Sequence, residues 1–154
     1  MKRRHLVLGA ATVLGAAGLA SWYGRRSMGW FDSTRRDLQQ LLGDSGAVWL
    51  DDSARLAAWS PDPNYKPQAY YLLRPMDEAA FRRAADLGGL AVVLAPPVEQ
   101  AVWRLPAGVK LPGWQADSLP PGTGLQALGT LGSVAVAARW HQGHAYLVAT
   151  VTGT

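Results

Sequence analysis

The clearest hydrophobic pattern lies at the C-terminal end. From Val134 to Val151 the residues sort onto two faces with a period of two, as they do along paired strands. With Gln142 and Gly143 at a two-residue turn, His141 faces His144, Trp140 faces Ala145, Ala138 faces Leu147, Val136 faces Ala149 and Val134 faces Val151. One face then holds Val134, Val136, Ala138, Trp140, Ala145, Leu147, Ala149 and Val151, all apolar. The other carries Arg139, His141, His144, Tyr146 and Thr150. A slip of one residue scrambles this segregation, so the pattern specifies the register. Gly143 suits a primed turn. The apolar face is expected on a core and the other toward solvent.

Upstream, Gln68 to Arg74 reads as a strand and Pro75-Met76 breaks it. Asp77 then caps a helix to Leu87, whose Ala80, Phe81, Ala84 and Ala85 share one side, and Gly88-Gly89 ends it. Leu90 to Ala95 is continuously apolar, the pattern of a strand buried on both faces. The linker between these strands is long enough for a parallel β-α-β crossover. Nearer the N-terminus, Ser33 or Asp32 is placed to cap a short helix through Leu42, with Leu38, Leu41 and Leu42 on its apolar side and Gly43 as its stop. Ala47 to Leu50 is expected as a short strand, and Arg55 to Trp59 as a strand or helical turn. Val98 to Leu105 is expected as a further strand, and Leu125, Leu128 and Leu131 as a short helix. Ser60 to Pro67 holds three prolines and is a loop. Pro106 to Gly124 has eight Pro or Gly in nineteen residues, a long loop of the kind that carries function.

The chain begins Lys2-Arg3-Arg4-His5, runs through eighteen uncharged residues from Leu6 to Tyr23, and continues into Arg25-Arg26. As a helix that run is about 27 Å long, close to the hydrocarbon thickness of a bilayer. Basic residues before it and no acid among them place the N-terminus in the cytoplasm. A retained anchor puts Trp22, Tyr23 and Trp30, with Arg25 and Arg26, at the membrane interface. A cleaved signal is the alternative, because Gly18-Leu19-Ala20 offers small residues for a cut after Ala20. The run exceeds the usual apolar region of a signal peptide, about 7–15 residues, which favours the anchor. Arg3-Arg4 followed by Leu6-Val7 resembles a twin-arginine export signal, although Lys2 stands where that signal has Ser or Thr.

Composition changes this picture in two ways. The formal charge is +4, yet seven of the fifteen basic residues lie in the first 36 positions. Residues 37–154 carry eight basic and ten acidic side chains, so the basicity suits anionic lipid and not nucleic acid. There is no cysteine, which excludes disulfides, thiolate nucleophiles and iron–sulfur clusters.

Candidate chemistry is sparse. His141 and His144 are cross-strand neighbours able to share a metal, but no third ligand is evident. Trp49, Trp103 and Trp140 are expected in the core. Trp114, inside the long loop, is expected to be exposed for ligand or partner contact, against the alternative that it folds back over the core. Arg139 and Tyr146, on the outward face of the hairpin, are candidates for the same contact. Asp51-Asp52 is an adjacent acidic pair that reads as a solvated turn. No G-x-S-x-G, H-E-x-x-H or Walker pattern occurs.

Asp52 to Leu56, Tyr71 to Pro75, the helix with Phe81 and Ala84, Gly88 and the strand Leu90–Leu94 resemble the opening of the flavin-binding domain in the vanillyl-alcohol-oxidase class of FAD enzymes. That family follows with a glycine-rich segment that cradles the pyrophosphate. Here Ala95-Pro96-Pro97-Val98-Glu99 stands in its place, so no flavin and no other cofactor is expected.

The expectation is therefore a leader over residues 1–26 and one α+β domain over 27–154. A mixed sheet, a β-α-β unit and a C-terminal hairpin would build that domain. It would sit on the periplasmic side of a bacterial inner membrane, tethered through residues 6–23. There it would serve as a non-catalytic accessory subunit with a protein partner and no nucleic acid. The alternative is an exported, soluble periplasmic ligand-binding protein or small enzyme.

Overall fold

The computed structural model describes residues 33–94, 100–120 and 122–152, and the expected leader lies outside them. Among the described residues no helix is long and apolar enough to cross a membrane. The domain is α+β. Six strands form one sheet: β1 Arg55–Trp59, β2 Ala69–Pro75, β3 Ala91–Leu94, β4 Leu125–Leu131, β5 Val134–His141 and β6 His144–Val151. Their order is β1-β2-β6-β5-β4-β3, and every neighbouring pair is antiparallel. The expected mixed sheet is thus corrected to an antiparallel one.

The hairpin β5–β6 has the register expected from its pattern, His141 opposite His144 through Val134 opposite Val151. Its turn residues Gln142 and Gly143 both have positive φ, 46° and 78°, as a type I′ turn requires. The apolar face packs on a core closed by three helices: α1 (residues 33–42), α2 (Gly46–Trp49) and α3 (Glu78–Leu87). Leu38 and Leu42 of α1, Trp49 of α2 and Phe81, Ala84 and Ala85 of α3 meet Leu72, Leu125, Ala138 and Leu147 of the sheet there. Burying each large apolar side chain contributes about 1.5–3 kcal/mol. Trp49 and Phe81 meet edge to face with centroids 5.7 Å apart.

Local signals explain α3. Asp77 accepts a hydrogen bond from the Ala80 N–H at 2.7 Å, and Glu78 pairs with Arg82 one turn on. Gly89, with φ 66°, turns the chain so that the Leu90 N–H reaches the Ala85 carbonyl at 2.8 Å. Losing the Asp77 cap costs roughly 1 kcal/mol.

Tertiary placement overrides four local expectations. Ala47–Leu50 is not a strand, because the chain stays helical through Trp49 and so buries that indole against Phe81. Leu125–Leu131 is β4, not a helix. A Cβ at its Gly129 would lie 2.6 Å from Leu90 Cδ2, so a larger residue there would require that methyl to move. Of the expected strand Val98–Leu105, the part that is described opens as a 3-10 turn, Gln100–Trp103. It rolls Trp103 into the sheet. Finally, β2 and β3, joined through α3, run the same way but do not pair, because β6, β5 and β4 lie between them. β3 is therefore an edge strand, not one buried on both faces: Val93 is 52% and Leu94 79% exposed. The strands buried on both faces are β2, β5 and β6.

Candidate functional site

The middle of the second face of the sheet, over β2, β5 and β6, is covered. Trp103 and the Pro/Gly-rich loop that follows lie across it, and Trp103, Leu111, Ala116 and Leu119 pack on Tyr71, Leu73, Ala137, Tyr146 and Val148. This corrects the outward placement of Arg139 and Tyr146, each only 4% exposed. Trp114 folds back over the core. It donates its indole N–H to the Trp103 carbonyl at 2.8 Å and stands edge-on to both Tyr71 and Tyr146, with centroids 5.8 and 5.4 Å away. The loop closes onto β2 at Gly113, where φ is 85° and a Cβ would sit 3.2 Å from Leu73 Cδ2.

Beneath the loop, Gln126, Arg139 and Tyr146 face one another across β4, β5 and β6. The Arg139 guanidinium lies 5.7 Å from the centre of the Trp103 ring and donates from Nη1 to the Ala116 carbonyl at 3.3 Å. Its Nε and the Oε1 of Gln126 are buried without a partner. Burial pushes the Arg139 pKa down, partly offset by Tyr146. Burial raises the Tyr146 pKa, against the pull of Arg139. The ion pairs among the described residues, Arg74–Asp51 and Arg82–Glu78, leave Arg139 without a carboxylate.

At the edge of this loop-covered face lies a cleft of about 680 Å³. It is lined by Asp52, Ser53 and Arg55 from the entry to β1, by Leu73 and Pro75 of β2, by Gly113 and Gln115 of the loop, and by His144 and Tyr146 of β6. Arg55 donates to the Pro112 carbonyl at 3.2 Å and so ties the loop to the first strand. Behind the rim, Asp51 shapes the turn. Its Oδ1 accepts from the Ser53 N–H at 2.9 Å and the Ser53 hydroxyl at 2.5 Å, and its Oδ2 pairs with Arg74 at 2.7 Å. The Ser53 hydroxyl bond, aided by Arg74, holds the Asp51 pKa below its ordinary value. Arg74 also donates to the Val48 carbonyl, and Arg35 to the carbonyls of Leu50 and Asp51. Arg35, in the first turn of α1, thus ties that helix to the turn after α2.

The cleft gathers a carboxylate, a hydroxyl and an imidazole, but not as a nucleophilic set. A serine nucleophile donates its proton to a base such as imidazole. Ser53 donates to Asp51, while His144 Nδ1 lies 3.3 Å from the Gln142 carbonyl oxygen. His141 and His144 are opposed across the hairpin, and among the described residues no three His, Cys, Asp or Glu stand together to hold a metal. Trp22, Tyr23, Arg25, Arg26 and Trp30 lie outside the described residues. No local signal marks Asp52, Ser53, Arg55 and Gln115 as neighbours, because the strand order that joins them to His144 is not local information. The acid-rich turn before β1 was their only visible sign.

No protein family, no curated protein and no solved structure matches this chain.

Proposed function

We propose that this protein is a membrane-anchored, extracytoplasmic accessory subunit of a bacterial envelope complex. In this reading residues 6–23 tether it and it is not an enzyme. The observation that carries the interaction role is the β3 edge. Among the described residues β3 has a neighbour on one side only, and Val93, Leu94 and Leu128 are 52%, 79% and 53% exposed there. Val93 and Leu128 share the loop-side face and are diagonal neighbours, since Ala91 opposes Leu128. Soluble proteins shield such edges with charge or proline, because the open backbone templates another strand. From Gly88 to Leu94 there is no charged side chain. The occupant that fits is an extended, uncharged segment of a different protein, added as a seventh strand. Four residues bury less than the roughly 1,000 Å² of a stable interface, so this pairing is a weak or transient contact.

Photo-crosslinking of the full chain in native membranes tests this. A photoreactive side chain at Val93 should give one discrete adduct with another protein, lost on Leu94→Lys, and the same group at Arg83 on α3 should give none. An adduct of twice the chain mass assigns the edge to a second copy, and no adduct from Val93 overturns the reading. A second reading, a released periplasmic ligand-binding protein, is favoured by the cleft. Intact mass of the mature protein separates the two, because loss of the first twenty residues removes the anchor.

A further inference from the structure

We propose that the cleft between β1, β2, β6 and the long loop is a binding site for a single carboxylate carried on a short apolar body. The site is far along the sheet order from β3 and belongs to either functional reading. Its charge balance points to the ligand. Arg55 stands at the rim, and its one hydrogen bond, to the Pro112 carbonyl, leaves other guanidinium N–H groups free to donate. Gln115 lines the cleft, and the next residue, Ala116, accepts from Arg139. Tyr146 also lines it and is the cross-strand partner of Arg139. Arg139 therefore adjoins two parts of the cleft wall, Tyr146 and the Gln115–Ala116 segment, as a buried guanidinium with no acidic partner among the described residues and its Nε–H unpaired. Arginine stays protonated when buried, and in a poorly hydrated region its field is weakly screened. An uncompensated buried cation is costly to the fold, and an anion in the adjoining cleft offsets that cost.

The other charges narrow the choice. Asp51 is neutralised by Arg74 and adds nothing. Asp52 lines the cleft as an exposed carboxylate, so a second negative charge on the ligand is repelled. One negative charge, received by the planar fork of Arg55, fits the balance. Ala54, Leu73 and Pro75 supply apolar wall for the rest of the ligand. Arg55 is the contact residue in this assignment. Arg139 is a positioning residue that acts through its field.

Calorimetry on the full chain in detergent micelles tests this with three probes: N-acetyl-alanyl-alanine, its C-terminal amide, and acetate. The acid should bind and the amide should bind at least about tenfold more weakly, since only the charge is removed. Acetate binding as well as the dipeptide acid assigns a small organic acid. Acetate binding much more weakly assigns a chain terminus. Arg55→Gln, at an exposed position, should lose at least about tenfold in affinity for the acid while the domain stays folded at the temperature of the titration. Arg139→Met should shrink the acid-to-amide ratio and the salt dependence of binding. Equal binding of acid and amide, unchanged binding by Arg55→Gln, or no binding of either acid at millimolar concentration overturns the proposal. Leu94→Lys should leave all these affinities unchanged, so failure here and failure at the β3 edge are separate results.

Discussion

Trp114 donates its indole N–H to the backbone carbonyl of Trp103 across 2.8 Å, and this bond pins the middle of the long loop to the turn that precedes it. Trp103 is fully buried, and Trp114 stands edge-on against Tyr71 and Tyr146. A loop rich in proline and glycine is thereby turned into the second layer of the core. Trp114→Ala should destabilise the domain by about 2–4 kcal/mol, below the full cost of a completely buried aromatic because Trp114 is only half-buried. Urea unfolding followed by circular dichroism measures it. A loss under about 0.5 kcal/mol would show that the loop lies on the sheet without stabilising it.

Two glycines with similar backbone angles should respond very differently to alanine. Gly132 has φ 59° and nothing near a new Cβ, so Gly132→Ala should cost about 1 kcal/mol for the left-handed conformation alone. Gly124 has φ 80°, and its Cβ would sit 2.1 Å from the Trp140 carbonyl oxygen. Gly124→Ala should cost at least about 2 kcal/mol more, because backbone and not a flexible side chain must move. Paired denaturation curves decide it.

Asp51 sets a pH limit. Its pKa in the folded chain lies below the unfolded value of 3.8, through the Ser53 hydroxyl bond first, then the Ser53 N–H and the charge of Arg74. The carboxylate therefore contributes stability that is fully present above pH 3.8 and lost as pH falls through the lower, folded value. Asp51→Asn should flatten the acid limb of stability against pH below that point. The ion pair is partly exposed, so the loss at neutral pH should stay within about 1 kcal/mol. Urea midpoints measured from pH 7 to pH 2 for both proteins check the slope.

Arg139→Met removes a buried cation that makes one hydrogen bond and stacks on Trp103. Replacing an uncompensated buried charge by an apolar side chain of similar length is often neutral or stabilising. Stability should stay within about 1 kcal/mol of the parent or rise. A loss above about 3 kcal/mol would mean that the stacking and the single bond to Ala116 more than repay the desolvation. Equilibrium denaturation at neutral pH reads the difference.

The hairpin and α3 were legible because their signals are local. Alternating side chains, a turn needing positive φ, a capping aspartate and a pair of glycines act over a few residues, and each reappears in the fold. Trp49 and Trp103 were legible as core but not as helical, since burying an indole says nothing about the backbone that carries it. The cleft was not legible at all. Asp52 and His144 are distant in the chain, and only the pairing of β2 with both β1 and β6 makes them line one space.

Periodicity along the chain thus determined which residues share a face and the register of β5 on β6, capping and turn residues determined the ends of α3, and composition barred cysteine chemistry. It did not determine what lies on each face. Arg139 and Tyr146 looked solvent-facing and are buried, because a loop with no periodicity of its own covers them. The apolar run at Leu90–Leu94 looked central and lies at the edge, because three later strands fill the space between it and β2. A side chain's direction is fixed by its neighbours in the chain, whereas its burial depends on distant segments that bury more apolar surface together than apart.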